Sequence, residues 1–333
     1  MTGTEDFVPQ GVIPACLMPF DASFEIDQTA YRKHLRDLAS VDGIAAITIN
    51  GHASEVQALS FDEQQRSLDL ARDELGGRLP IVVGIWADSS LEASRLALMA
   101  ESGGADGLLI LPPGSLNWGG QLRPEMAREH FDRIANATGL PLILFQYPLS
   151  SGLGYPLDTL IDLCRRVPTL RAIKDWCNDP ALHERHIREL HGLTRPVSVL
   201  STHSAWLLGS LVLGCDGLLS GAGSVIANLH VALWRAVQEK DLESAQAIND
   251  VIYPTVRAFY REPFLDMHNR MKEALVLLGR LESAHVRPPL MKLSKEEIES
   301  LAALLEEAEV NPETAYLPVP VKRQRGTRIA ALG

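Results

Sequence analysis

The chain has 333 residues and a formal net charge of −11, and 46% of its residues are hydrophobic while 22% are charged. This composition can bury a large core, and the acidic balance disfavours binding to nucleic acid or to an anionic membrane, because both require clustered lysine and arginine. The sequence has no apolar run of about 18 residues and no signal-peptide pattern, so we expect a protein of the cytoplasm.

One unit recurs along the chain: a continuous apolar run followed by a helical pattern. The eight apolar runs cover residues 11–18, 44–49, 80–85, 105–111, 141–145, 170–174, 197–200 and 216–219. Continuous apolar strands that alternate with helices are typical of a parallel sheet buried on both faces. Eight such units predict an α/β protein with a closed (β/α)8 barrel, the TIM barrel.

The strand pattern stops near residue 239, and helical periodicity continues to residue 308. We therefore predict a barrel over residues 1–238, a C-terminal helical extension over 239–310, and a tail or arm over 311–333. Asp241 and Ser294 are predicted helix N-caps, because each is a short polar residue that directly precedes a helical pattern.

The strongest candidate for chemistry is Lys174, which ends the sixth apolar run. A buried ammonium loses hydration, which lowers its pKa, and the neutral amine can condense with a ketone or aldehyde to form an imine. For this segment alone, a lysine that extends to solvent is the favoured explanation. The barrel decides between the two, because chemistry in such barrels gathers at the C-terminal ends of the strands.

Several segments, in the right order, resemble the dihydrodipicolinate synthase / N-acetylneuraminate lyase family of class I aldolase-type barrels. The segments are Gly51-His52-Ala53-Ser54-Glu55 where the family has G-[TS]-T-G-E, Phe145-Gln146-Tyr147-Pro148 where it has Y-N-x-P, Ile173-Lys174-Asp175 where it has I-K-[ED], and Gly214 to Gly221 near the eighth strand. The resemblance implies an imine between Lys174 and a 2-oxo acid, no cofactor, and a homo-oligomer, either a tetramer or a dimer.

The departures from the family pattern bear on the activity. Phe145 stands in the place of the family's catalytic tyrosine and has no hydroxyl to move a proton. Tyr147, two residues further along the strand, and His52 are the predicted replacements as proton carriers. The remaining candidates are residues predicted to bind the substrate: Gly51, Ala53, Ser54, Phe145, Trp176, His203 and Gly221.

Three further predictions concern the surroundings of the site. The loop over residues 51–55 is expected to hold the substrate carboxylate through backbone N–H groups and the imidazole of His52. His183, His186 and His191 lie on one helix and are predicted to form a solvated face without a metal. Trp118 is expected near the pocket, where it would make the site less polar.

These observations predict a Schiff-base-forming lyase, an aldolase or a dehydratase, that acts on a 2-oxo acid or related carbonyl compound such as an aldehyde. Dihydrodipicolinate synthase itself is disfavoured, because Phe145 and Ala53 lack hydroxyls found in that enzyme. Two alternatives stay open: a hydratase-aldolase or sugar-acid dehydratase with a less polar substrate, and a ligand-binding barrel that has lost turnover.

Overall fold

The computed structural model describes residues 7–310, so the predicted tail over 311–333 lies outside the described residues. Within this range, eight parallel strands form a single sheet in the order β1-β8-β7-β6-β5-β4-β3-β2. The strands are β1 (Gly11–Pro14), β2 (Ile47–Ile49), β3 (Ile81–Ile85), β4 (Gly107–Ile110), β5 (Leu142–Gln146), β6 (Leu170–Asp175), β7 (Ser198–Ser201) and β8 (Gly217–Ser220).

The sheet is nearly closed, as predicted. β1 pairs with β8 along its whole length. Isolated parallel bridges from Val12 to Ile44 and from Ala15 to Thr48 connect β1 to the segment that contains β2. The strands form because their residues are apolar and almost entirely buried on both faces, as a parallel sheet covered by helices requires.

Helices cover the outside of the barrel and follow the strands in alternation. They are α1 (Gln28–Ala39), α2 (Phe61–Leu75), α3 (Ser90–Ser102), α4 (Pro124–Ala137), α5 (Leu157–Arg166), α6 (Pro180–His191), α7 (Leu207–Val212) and α8 (Gly223–Gln238). The extension adds α9 (Leu242–Phe259), α10 (Met267–Leu277) and α11 (Lys295–Glu307). Among residues 7–310, no helix has the length and hydropathy needed to cross a membrane.

The predicted caps of the extension are confirmed. The side chain of Asp241 accepts a hydrogen bond from the backbone N–H of Ser244 (3.0 Å), and that of Ser294 accepts one from the N–H of Glu297 (3.2 Å). The sequence has a helical pattern over residues 264–281, but α10 ends at Leu277, since Gly279 has a φ of +66°, which a helix cannot continue.

A buried ion pair joins the extension to the barrel. Lys272 of α10 pairs with Glu55, which lies in the loop after β2. The Lys272 side chain is fully buried, and its Nζ also donates to the carbonyl oxygen of His285 (2.9 Å). Breaking a buried pair by removing one partner is strongly destabilising, so this contact fixes α10 against the loop.

Candidate active site

A cavity of about 430 Å³ lies at the C-terminal ends of the barrel strands. Seven predicted site residues line it: His52, Ala53, Phe145, Lys174, Trp176, His203 and Gly221. Three others, Gly51, Ser54 and Tyr147, are not among its lining residues. Its volume falls within the range of about 300–1,000 Å³ that is usual for small-molecule sites.

Lys174 lies in this cavity with its amine largely shielded from water. The residue is 5% exposed, and its Nζ lies 4.0 Å from the centre of the Phe145 ring. Within residues 7–310 no carboxylate forms an ion pair with it, and burial lowers the pKa of Lys174 to about 7. Roughly half of the amine is therefore neutral at neutral pH, and a neutral amine is the nucleophilic form.

The residue that follows Lys174 faces the other way along β6, because strand side chains alternate. Asp175 is fully buried, and one of its carboxylate oxygens accepts hydrogen bonds from Nδ1 of His183 (2.8 Å) and Nδ1 of His186 (2.7 Å). The other oxygen accepts the backbone N–H of Cys177 (2.9 Å). Burial alone would raise the pKa of Asp175, but the hydrogen bonds from the two histidines hold it well below its usual range.

The prediction of a solvated histidine face on α6 is wrong. His183 and His186 are fully buried against β6, and His191 is half-buried and binds Asp216 (Nε2 to Oδ2, 2.7 Å). Helical spacing placed the three on one helix but gave no indication of what that helix packs against. The buried Asp175 carboxylate requires donors, and α6 supplies them.

Four buried residues beside the cavity, Asp175, Cys177, His183 and His203, have potential metal-ligating atoms within 4.8 Å of one another. Their polar atoms already take part in hydrogen bonds. Nε2 of His183 lies 2.7 Å from the hydroxyl of Ser210, and Nε2 of His203 accepts the backbone N–H of Asn178 (3.2 Å). Hydrogen bonding therefore explains why these four polar side chains lie together. That the site binds no metal stays a prediction.

His203 forms part of the cavity wall. Its ring stacks on that of Trp206, with centroids 4.2 Å apart and an interplanar angle of 26°. Burial lowers the pKa of His203 to about 3, so the imidazole is neutral at physiological pH. These contacts are those of a positioned wall residue.

Aromatic side chains form another part of the wall. Trp176 stacks on Phe264, with ring centroids 5.3 Å apart and planes 13° apart. Tyr147 packs between Phe145 and Trp176, at centroid distances of 4.4 and 5.4 Å, and burial raises its pKa. Trp118 is not part of this wall: it is 92% exposed on the turn after β4, so its predicted role in the pocket is wrong.

The loop after β2 uses most of its polar groups internally. The Ser54 hydroxyl donates to the carbonyl of Cys16 (2.7 Å), and the N–H groups of Ser54 and Glu55 donate to carbonyls of Gly51 and His52 (both 3.0 Å). These groups cannot also hold a substrate carboxylate. The loop residues that line the cavity are His52 and Ala53, so the loop offers the imidazole of His52 and the backbone N–H groups of these two residues.

Four lining residues come from the C-terminal extension and were missed in the sequence: Tyr260, Phe264, Met267 and His268. The Tyr260 hydroxyl is within hydrogen-bonding reach of the Ser204 and Ser220 side chains. Burial raises the pKa of Tyr260, and the hydrogen bonds to these serines offset only part of the increase. Tyr260 and Phe264 flank a break between helices, but nothing in that pattern predicts that the break covers the barrel mouth.

Residues 8–308 match the Dihydrodipicolinate synthetase family. The chain belongs to this family. An uncharacterized DapA-like lyase of Halobacterium salinarum is 30% identical over 295 residues, which are 88% of this chain and 92% of the relative. A putative 2-dehydro-3-deoxy-D-gluconate aldolase of Escherichia coli, YagE, is 26% identical over 300 residues, 89% of this chain and 96% of the relative.

The structure of YagE from Escherichia coli in complex with pyruvate superposes with a TM-score of 0.84 at 24% identity, covering 91% of this chain and 100% of YagE. This likeness confirms the predicted barrel. Members of the family are class I aldolase-type lyases, and relatives carry the names synthase and aldolase. The protein is an enzyme of this lyase class.

Proposed function

We propose that this family member forms an imine between Nζ of Lys174 and the carbonyl carbon of a 2-oxo acid. The observation that carries the proposal is a buried, unpaired amine with a pKa near 7 inside the cavity at the barrel mouth. A perturbed lysine in a cleft is a functional-site signature, because a purely structural lysine would reach solvent or pair with a carboxylate. The pyruvate bound to YagE is itself a 2-oxo acid, which is consistent with this class of substrate.

The chemistry follows from the amine. Neutral Nζ adds to the carbonyl carbon, and the carbonyl oxygen leaves as water with one proton from the amine and one taken up from solvent. The second amine proton stays on the nitrogen, which gives the protonated imine. The protonated imine then accepts the electron pair released when a neighbouring C–C bond breaks or a proton leaves the adjacent carbon. Water can be lost by β-elimination from the same carbanion or enamine, so both an aldolase and a dehydratase fit.

The less polar walls favour a second candidate within the same chemistry, a hydratase-aldolase or dehydratase whose substrate has an apolar or aromatic part. The stacked Trp176 and Phe264 rings supply this observation. We expect little dihydrodipicolinate synthase activity with pyruvate and aspartate semialdehyde, because Phe145 and Ala53 offer no hydroxyl. Turnover near an ordinary enzyme's value of about 10 per second in that assay would contradict this expectation.

Trapping with borohydride tests the imine. Incubation with pyruvate and reduction should give a covalent adduct on Lys174, located by mass spectrometry of peptides. Lys174→Ala should abolish the adduct and keep the fold, while Lys295→Ala, at a lysine whose side chain is 85% exposed, should leave trapping unchanged. An adduct formed at the wild-type rate in Lys174→Ala would rule the proposal out, and an adduct without turnover of any carbonyl substrate would favour a ligand-binding barrel.

The assembly is proposed on the strength of the resemblance alone, and the location is the one expected from the sequence pattern. We propose a homo-oligomer, either a tetramer or a dimer, in the cytoplasm. Sedimentation of the purified protein tests the assembly, and a monomer at micromolar concentration would contradict it.

A further inference from the structure

Two imidazoles from separate parts of the fold meet inside the cavity. His52 follows β2, and His268 lies in the first turn of α10. Their ring centroids are 4.8 Å apart and their planes cross at 87°. Both rings line the cavity that contains Lys174, and neither forms a ring hydrogen bond to another residue within 7–310.

The buried ion pair described above holds these two imidazoles in place. Lys272 follows His268 by one helical turn, so the two side chains share a face of α10. Glu55 follows His52 by three residues in the same loop. The ion pair between Lys272 and Glu55 therefore connects the same two segments that carry the imidazoles, and it limits how far the rings can separate.

Both rings are neutral at physiological pH. Burial lowers the pKa of His52 to about 4, with a further contribution from Lys174. Burial also lowers the pKa of His268 well below its ordinary value, and His52, Lys174 and Lys272 add to the effect. A neutral imidazole carries one N–H donor, so the pair presents two donors, close to the side chains of Lys174 and Lys272.

The cavity is polar on one side and aromatic on the other. A Cβ atom at Gly221 would lie 3.5 Å from Nε2 of His268, so this ring covers the end of β8, while His52 follows β2. Only β1 separates β8 from β2 in the barrel. The stacked Trp176 follows β6, four strands away from β2 in the sheet order.

We propose that His52 and His268 bind the substrate carboxylate between them, each donating one hydrogen bond, and thereby direct the carbonyl carbon towards Lys174. The proposal rests on the imine function and deepens it. It gives the C-terminal extension a part in anion recognition beside the loop after β2, in which the Ser54 hydroxyl and the N–H groups of Ser54 and Glu55 are engaged in internal hydrogen bonds. The remainder of the substrate then faces Trp176 and Phe264.

The test compares a charged probe with an uncharged probe of the same shape. Rates of borohydride trapping are measured with pyruvate and with methyl pyruvate in wild type, His52→Leu, His268→Leu and the control His285→Leu, whose side chain lies outside the cavity. Leucine has no hydrogen-bond donor. We expect each cavity variant to lose about 10- to 100-fold with pyruvate and little with the ester, because a hydrogen bond to a charged group is lost only with the acid. The control should match wild type with both probes.

An equal loss with both probes would overturn the proposal, since it would mean that the imidazoles act on the carbonyl and not on the carboxylate. Unchanged trapping with both probes would also overturn it. Circular dichroism of each variant checks that the fold is kept.

A second measurement uses Lys174→Ala, in which both histidines are present and no imine can form. The histidine ring signals in its NMR spectrum are assigned with His52→Leu and His268→Leu and followed as pyruvate or methyl pyruvate is added. Shifts of the His52 and His268 signals with pyruvate alone support the carboxylate site even if wild type gives no reducible adduct. Adduct formation in wild type without such shifts would leave the imine function in place and refute the imidazole pair.

Discussion

Lys174 and Lys272 are both buried lysines near the barrel mouth, and they differ in the polar partners of their amines. Each ammonium lies over an aromatic ring, Lys174 at 4.0 Å from the Phe145 centroid and Lys272 at 4.5 Å from that of Phe20. Lys272 also has the Glu55 carboxylate and a backbone carbonyl as partners, whereas Lys174 has no ion-pair partner within residues 7–310. Because the rings are common to both sites, the carboxylate makes the difference.

Burial lowers the pKa of both lysines, but only at Lys272 does a carboxylate act against it. The paired lysine is a structural cation, and the unpaired one becomes a nucleophile near neutral pH. The comparison teaches that this barrel produces a reactive amine by keeping carboxylates away from it. The predictions below test that statement, from the largest expected effect to the smallest.

The unpaired lysine needs a separate group to move protons, and removing that group should have the largest effect. If Tyr147 carries the proton, Tyr147→Phe should lose about 10²–10⁴-fold in turnover, while His52→Gln is milder and acts mostly on binding. If His52 is the carrier, the order reverses. Steady-state rates with a carbonyl substrate that wild type turns over decide between them. Near-wild-type turnover in both variants would exclude both residues and leave Tyr260 as the hydroxyl to test.

Removing the partner of the paired lysine should damage stability and not chemistry. Glu55→Gln leaves a buried ammonium without a countercharge, and we expect a loss of about 3–5 kcal/mol in the free energy of unfolding. Denaturation in urea measures this loss. The double variant Glu55→Gln, Lys272→Met serves as the control and should recover most of it; a single variant as stable as wild type would show that the pair does not hold the extension in place.

Replacing each lysine with methionine should change stability in opposite directions. Burial in the folded state disfavours the charged form of Lys174, and Lys174→Met removes this cost. We therefore expect the free energy of unfolding to increase by about 1–4 kcal/mol at pH 7. Lys272→Met leaves Glu55 unpaired and should be destabilising. The same urea titrations measure both changes, and effects of the same sign would contradict the comparison.

The pH dependence should also differ. The folded-state pKa of Lys174 is lowered to about 7, so its neutral fraction is high above pH 7 and falls about tenfold for each pH unit below it. Modification by a small amine-reactive reagent, followed by peptide mass spectrometry, should fall in the same way at Lys174. The linked stability contribution declines as pH falls from the unfolded lysine value of about 10.4 towards 7 and is constant below. A Lys174 labelling rate that declines already from pH 10 downwards would indicate an ordinary lysine.

Much of the fold could be predicted because apolar runs and helical periodicity are local. The helical patterns that follow the apolar runs at residues 61–75, 124–137 and 180–191 coincide with α2, α4 and α6. Lys174 could be singled out for the same reason, since a charged residue at the end of a buried run stands out in the sequence itself.

The rest of the site depends on contacts between distant segments, which local pattern does not contain. His183 looked solvated because its helical face was known but the buried Asp175 opposite it was not. His268 was missed because its place beside His52 depends on how α10 packs on the barrel. The position of Tyr147 relative to the cavity could not be predicted from the sequence either. The period of a strand gives the face on which a side chain lies, but not whether that side chain lines the cavity, and Tyr147 does not.

The contact between Lys272 and Glu55 also bears on how the molecule unfolds. If α9 to α11 opened by themselves, the buried ion pair between Lys272 and Glu55 would break, and the loss of this contact would oppose that opening. The sequence pattern changes near residue 238, but the two parts should behave as one cooperative unit. Backbone amides in the extension are therefore expected to exchange with deuterium at the same slow rate as those of the barrel strands, through global opening of the whole molecule.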